Sequence, residues 1–404
     1  MKKNFLLAGL FLLSLFLNAQ PKENLQSDSL PPMLNSAEKL LATNGRLLIG
    51  GYGEVHYNQT FSRDVRYNGK LDVHRLVLLF GYRFSRRLQF ISEIEYEHVN
   101  EVSVEQAFLQ YKVNSFLNIR GGLLLVPMGI VNEYHEPTAF NGVERPLIDK
   151  YIVPTTWREI GMGVTGNILP VSLRYQAYII NGLNSFSNSK ILNGSGLRKG
   201  RQKGALSQLS FLNFSARVSY YGIRGLNVGL SGYFGKTQSS LFDGLIKSEP
   251  LAVAQADSSV VGVMMWGADA RYSLKGWQLR GQLYYTQLYN TLQYNYFDTG
   301  GGLPGDLGRS MAGFYLEAGY NVFRLFDKVK SELVPFLRYS TFNTQHSVTQ
   351  GILQNPAYQK RVITAGLTWK LTRGVVLKTD LRFLKSGADT HYSNTFNAGF
   401  GFMF

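Results

Sequence analysis

Apolar residues recur at every second position through most of this chain, in segments that follow one another to its end. The last segment places Phe396, Ala398, Phe400, Phe402 and Phe404 on one face and Asn397, Gly399, Gly401 and Met403 on the other. A spacing of two is that of a β-strand with one greasy face and one small or polar face. Leu279, Gly281, Leu283 and Tyr285 alternate in the same way with Gln278, Arg280, Gln282 and Tyr284. Ile363, Ala365, Leu367, Trp369 and Leu371 alternate with Thr364, Gly366, Thr368 and Lys370, and Leu377, Leu381 and Phe383 with Lys378, Asp380 and Arg382. The pattern predicts strands over 46–57, 70–84, 86–98, 102–113, 116–125, 159–167, 171–181 and 209–221. It predicts further strands over 225–235, 261–274, 276–289, 311–325, 331–343, 360–372, 374–384 and 393–404. That makes about 16, an even number, and each is long enough to cross a bilayer at a tilt, which takes about 9–11 residues.

The connections differ in length. Short ones fall at 85–86, 114–115, 169–170, 222–225, 275, 326–330 and 373, and long ones at 58–69, 126–158, 182–208, 236–260, 290–310, 344–359 and 385–392. Short periplasmic turns and long outside loops give a transmembrane barrel this rhythm. The fold class expected is therefore all-β, a transmembrane antiparallel β-barrel. Arg or Lys facing lipid at the midplane costs about 2–4 kcal/mol, so the polar sets point into the lumen. A barrel of this width is not filled by its own strands and leaves an aqueous channel, which implies passage of solutes.

The amino terminus adds a compartment. Lys2 and Lys3 precede an apolar run from Phe5 to Phe16, and Leu17-Asn18-Ala19 offers a small residue at the cut. Residues 1–19 read as a signal peptide, too short for a membrane-spanning helix. Residues 20–45 are then an N-terminal periplasmic segment and 46–404 the barrel domain, exported to the bacterial outer membrane. Ala37 to Ala42 has the composition of one or two helical turns on the periplasmic side, marginal in isolation, and a flexible leader is the alternative. Cysteine is absent, which removes disulfides and thiolate metal sites. Mean hydropathy is near neutral, as a half-polar strand set requires. The formal charge of +15 falls by two to +13 without Lys2 and Lys3. For an exported chain this points to anionic lipid or solute, not nucleic acid.

The stretch from Pro127 to Glu159 carries a family likeness. It reads Pro127-Met128-Gly129-Ile130-Val131-Asn132-Glu133-Tyr134-His135-Glu136-Pro137, then Phe140-Asn141-Gly142-Val143-Glu144-Arg145-Pro146, then Ile152-Val153-Pro154-Thr155-Thr156-Trp157-Arg158-Glu159. With Gly50-Gly51-Tyr52-Gly53-Glu54-Val55 it resembles the phosphate-selective porin O and P family in its Bacteroidetes-type branch. The resemblance implies a 16-stranded outer-membrane porin, a homotrimer, whose third outside loop folds inward and narrows the channel. In that loop Arg145, Lys150 and Arg158 are candidates for the constriction, beside Glu133, Glu136, Glu144 and Glu159. The alternative is that these charges pair with one another and that Pro137, Pro146 and Pro154 brace the fold.

Candidate lumen-facing cations are Arg120, Arg174, Arg217, Arg271, Arg280, Arg338, Lys378 and Arg382. Rings of Arg or Lys select anions, and the planar guanidinium suits phosphate. Glu93, Glu95, Glu97, Asp269, Glu317 and Asp380 are expected to face the same lumen and to offset much of that field. The function expected is passive diffusion of small hydrophilic anionic or neutral solutes, with mild anion preference and phosphate or other oxyanions as candidates. Phe400, Phe402 and Phe404 resemble the signal read by barrel-assembly machinery. Outer-membrane lipid and lipopolysaccharide are the remaining partners, and Arg198, Lys199, Arg201 and Lys203 are read as solvated loop charge that can meet lipopolysaccharide phosphates. No cofactor is expected. His56, His74, His98, His135, His346 and His391 lie far apart without ligand spacing, so no metal or catalytic site is expected either. A fatty-acid or other hydrophobic-compound channel, and a non-conducting adhesin, are the alternatives.

Overall fold

The structure is a computed structural model that describes residues 34–43, 45–327 and 329–404. The expected signal peptide and residues 20–33 lie outside the described residues. Eight strands form the first half of the sheet: β1 (Leu47–Phe61), β2 (Lys70–Arg83), β3 (Leu88–Glu97), β4 (Glu101–Lys112), β5 (Asn118–Leu125), β6 (Arg158–Ile168), β7 (Leu173–Ile180) and β8 (Asn213–Ile223). Eight complete it: β9 (Leu226–Lys236), β10 (Gly262–Leu274), β11 (Trp277–Tyr289), β12 (Ser310–Tyr320), β13 (Glu332–Ser347), β14 (Gln359–Lys370), β15 (Val375–Ser386) and β16 (Ser393–Met403). Each pairs antiparallel with its chain neighbours, and β16 pairs with β1 to close the barrel. The seam runs from Phe61 opposite Asn394 to Tyr52 opposite Met403, and Gly51 and Phe404 exchange two more backbone hydrogen bonds at 2.9 and 3.1 Å.

Alternation sorts the side chains as the sequence predicts. Leu283, Leu316, Leu337, Leu367 and Phe400 are exposed on the outside, while Gln282, Glu317, Arg338, Thr368 and Asn397 are buried inside. No described helix is long and apolar enough to cross a membrane; the apolar exterior of the strands is the surface suited to lipid. Register slips at four places in the barrel: between Glu54 and Val55 against β2, Glu93 and Ile94 against β4, Tyr220 and Ile223 against β9, and Ser310 and Ala312 against β13.

The third outside loop folds into the lumen, as expected. In that loop, 126–157, Val126, Met128, Ile148, Ile152, Val153 and Trp157 are buried in one hydrophobic core with strand residues such as Tyr52, Val77 and Tyr284. A wide barrel has no side chains long enough to meet at its axis, so an infolded loop supplies the packing that the strands cannot.

Of the two alternatives for Ala37 to Ala42 the helical one is found, as α1 (Ser36–Ala42). Asn35 caps it, accepting from the Glu38 amide at 2.9 Å, and Glu38 returns the contact to the Asn35 amide, the reciprocal capping box. Leu40 packs beside Gly50 on β1, Glu38 pairs with Arg174 and lies 3.7 Å from Arg120, and Ser36 donates to Glu136 of the third loop. Tertiary contacts thus stabilise a helix too short to persist alone. The outside loops also carry structure beyond the expected irregular chain. Segments Asn184–Ser187, Ser189–Lys190 and Gln238–Ser239 form a small sheet, and α2 (Ile148–Tyr151), α3 (Pro250–Ser258) and α4 (Thr291–Tyr296) are helical.

Candidate functional site

The third loop enters the barrel at Pro127-Met128-Gly129. Gly129 takes φ +69°, and a Cβ there would lie 1.6 Å from the Tyr284 hydroxyl, so only glycine brings the chain this close to the wall. Past it, the Ile130 amide donates to Gln282 at 2.7 Å, and Gln282 and Tyr284 donate to Asp149 at 2.6 and 3.0 Å. On the far side Asn141 donates to Glu317 at 2.9 Å and the Val143 amide to Asp380 at 2.7 Å. His135 meets Glu105 at 3.0 Å on β4. Burial alone would push the His135 imidazole down, but the charge and hydrogen bond of Glu105, with Glu93 beside it, raise it to about 9.

Most of the lumen cations hold this scaffold together. Arg217 pairs with Asp269 at 2.7 Å and lies 3.8 Å from Glu133, Arg338 pairs with Glu317 at 2.6 Å, and Arg280 donates to the Ala139 carbonyl at 2.7 Å. Arg174 and Arg120 face Glu38. Arg271 lies over the Tyr134 ring and Lys378 over the Phe140 ring. Of the eight cations singled out on the strands, Arg382 is the one that reaches the cavity described next. Buried charges need partners to be tolerated, and here the partners are acidic strand residues or the loop itself.

Above the loop lies a cavity of about 970 Å³ with two chemically different sides. Glu54, Asp72, Glu95, Glu97 and Glu101 come from β1 to β4, with His56, His74 and His98. Arg145 and Lys150 of the third loop, Arg158 at the start of β6, and Arg198, Arg201 and Lys203 of the following outside loop supply the basic side. Arg198 and Arg201 donate to the backbone oxygens of Thr155 and Thr156. Among the described residues, no carboxylate pairs with either. Burial first, and then Arg198 and Arg158, bring the Arg201 guanidinium down to about 9. Arg198 and Lys203 are lowered in the same direction, by burial and then by neighbouring arginines.

The structure therefore brings Arg145, Lys150, Arg158 and Glu144 to one cavity. It does not bring Glu133 and Glu136 there: Glu133 accepts from Gln176 at 2.7 Å, and Glu136 is buried against α1. Glu159 is buried too, accepting from the Trp157 indole at 2.8 Å. Arg198 and Arg201, read from sequence as solvated loop charge, turn inward, while Lys199 stays exposed. The signal for them was the run Arg198-Lys199-Gly200-Arg201-Gln202-Lys203-Gly204, whose glycines let a loop fold back on the barrel mouth. The histidines also depart from expectation. His56 stacks on His74 with ring centroids 4.4 Å apart, and His74 meets His98 edge to face at 5.4 Å.

A closed 16-stranded antiparallel barrel with an infolded third loop is the fold of outer-membrane porins. The chain is similar to the outer-membrane channel DcaP of Acinetobacter baumannii, with TM-score 0.58 and 10% identity over 89% of this chain and 97% of that one. It is similar to OmpF of Salmonella typhi, solved in complex with daunomycin, with TM-score 0.57 and 15% identity over 89% and 97%. The anion-selective porin from Comamonas acidovorans matches with TM-score 0.53 and 14% identity over 89% and 99%. No protein-family model matches the chain. In sequence, it belongs to the same family as a protein of Aquifex aeolicus (strain VF5) described as an uncharacterized protein, at 31% identity over 357 residues, 85% of this chain and 77% of that one.

Proposed function

We propose that the protein is a narrow outer-membrane diffusion channel that favours small anions. The observation that carries this reading is the basic side of the cavity, where Arg198 and Arg201 have no carboxylate partner among the described residues and Arg145, Arg158 and Lys203 stand beside them. Guanidinium groups that repel one another at a water-filled mouth are stabilised by a passing anion, and fixed cations raise the local anion concentration. The acidic strands opposite keep the field from trapping the anion. Phosphate and carboxylate are the solutes best matched to paired guanidinium forks, in line with the resemblance to phosphate-selective porins. That resemblance also supports a trimer in the outer membrane, inserted by barrel-assembly machinery that reads Phe400, Phe402 and Phe404.

The test is single-channel recording in a planar bilayer, with reversal potential under a KCl gradient. Chloride is expected to permeate better than potassium, and Arg198→Glu with Arg201→Glu to cut that preference by more than about two-fold. Cation preference in the parent protein would overturn the reading. Added phosphate that lowers the chloride current would narrow the solute to oxyanions.

A further inference from the structure

Three of the six histidines gather on the acidic side of the cavity, and two of them share one carboxylate. The local backbone explains why. In β2, Glu54 pairs with Arg75 but Val55 pairs with Val73, so His74 is the extra residue of a β-bulge. Asp72 and His74, two residues apart, share the inward face by ordinary alternation, and the bulge after His74 turns Arg75 inward beside them. His98 arrives from the turn between β3 and β4, where its backbone takes φ +52°, a left-handed conformation that His tolerates better than most residues. Its amide donates to the His74 carbonyl at 3.2 Å, which ties the turn to the bulge.

The donor atoms converge. Nδ1 of His98 lies 2.7 Å and Nδ1 of His74 3.4 Å from Oδ2 of Asp72, and one donor atom from each residue lies within 4.8 Å of the other two. Ligands on a zinc tetrahedron with bonds of about 2.0–2.1 Å stand about 3.3 Å apart, so rotamer adjustments of about an ångström would close the set. Glu97, with Oε1 3.8 Å from Nε2 of His98, stands where a carboxylate orients a ligating imidazole. Side chains of all three ligands are partly exposed to the cavity, which gives an entry path and leaves positions for water or a solute oxygen.

We propose that Asp72, His74 and His98 form a binding site for a divalent transition-metal cation of the zinc, nickel or copper class at the outer mouth of the barrel. Two imidazole nitrogens and one carboxylate oxygen favour those borderline metals over magnesium and calcium, which take oxygen shells. The site is separate from the arginines that carry the anion reading. A bound dication would add positive charge to the acidic side and move the mouth further towards anions.

The test is isothermal titration of the refolded, detergent-solubilised chain, without a polyhistidine tag, with ZnCl2. Heat-modifiable electrophoretic mobility verifies that each barrel is folded. About one zinc per chain is expected, undisturbed by a large excess of MgCl2. His74→Ala and His98→Ala should each weaken binding at least about ten-fold. His98→Gln, on an exposed turn outside the strands, gives the same readout if an alanine variant fails to fold. With Cu²⁺ instead, electron paramagnetic resonance should show hyperfine lines from two imidazole nitrogens. No zinc uptake by the parent protein at sub-millimolar concentration overturns the proposal. So does uptake that survives in the folded His74→Ala/His98→Ala double variant, which would move the ion to another group such as Glu93, Glu105 and His135.

Discussion

Gly129 and His135 hold the third loop against opposite walls of the barrel, and each makes a distinct prediction. A methyl group at position 129 collides with the Tyr284 hydroxyl in a backbone conformation that favours glycine. Gly129→Ala should cost about 2 kcal/mol or more, read as a lower midpoint of heat-modifiable unfolding, and should raise conductance as the loop leaves the lumen. His135 is held at about 9 by Glu105, above its ordinary value of about 6.5. Its contribution is complete below about pH 6.5 and is lost as pH rises through about 9. Protease nicking within 126–157 should therefore increase between pH 8 and pH 10, and His135→Phe should remove that step. Glu133 and Glu136 show the limit of reading single residues: their spacing placed them in the inward loop, but nothing local says that one meets Arg217 and the other α1.

At the scale of elements, the strands were legible because a two-residue period survives in any single segment. The strand predicted over 276–289 is Trp277–Tyr289, and that over 225–235 is Leu226–Lys236. Bulges were not legible, since one inserted residue such as His74 breaks the period without a signature of its own. The gathering of His56, His74 and His98 followed from the pairing of β1 with β2 and from the turn after β3, so ligand spacing along the chain could not reveal it. The helix α1 is the other case, where composition gave the helix but only the fold gave its seat on β1 and Arg174. Deleting 34–43 should increase single-channel conductance and leave the barrel folded, because the segment occupies the lumen without pairing in the sheet. Unchanged conductance would mean that the helix lies clear of the solute path.

Across the whole molecule, closure depends on the pairing of β16 with β1. Phe404 exchanges two backbone hydrogen bonds with Gly51, so deleting it unpairs that end of the seam and removes an aromatic side chain. The deletion should lower the fraction of heat-modifiable barrel recovered from cells, and restoring any large aromatic at that position should rescue it. The seam has a further kinetic consequence. Every other strand pair of the barrel joins chain neighbours, across connections far shorter than the chain between β1 and β16, which meet only after the intervening strands are in place. An incompletely synthesised chain would be left with two open sheet edges, so the ring discriminates finished from truncated products before any solute is encountered.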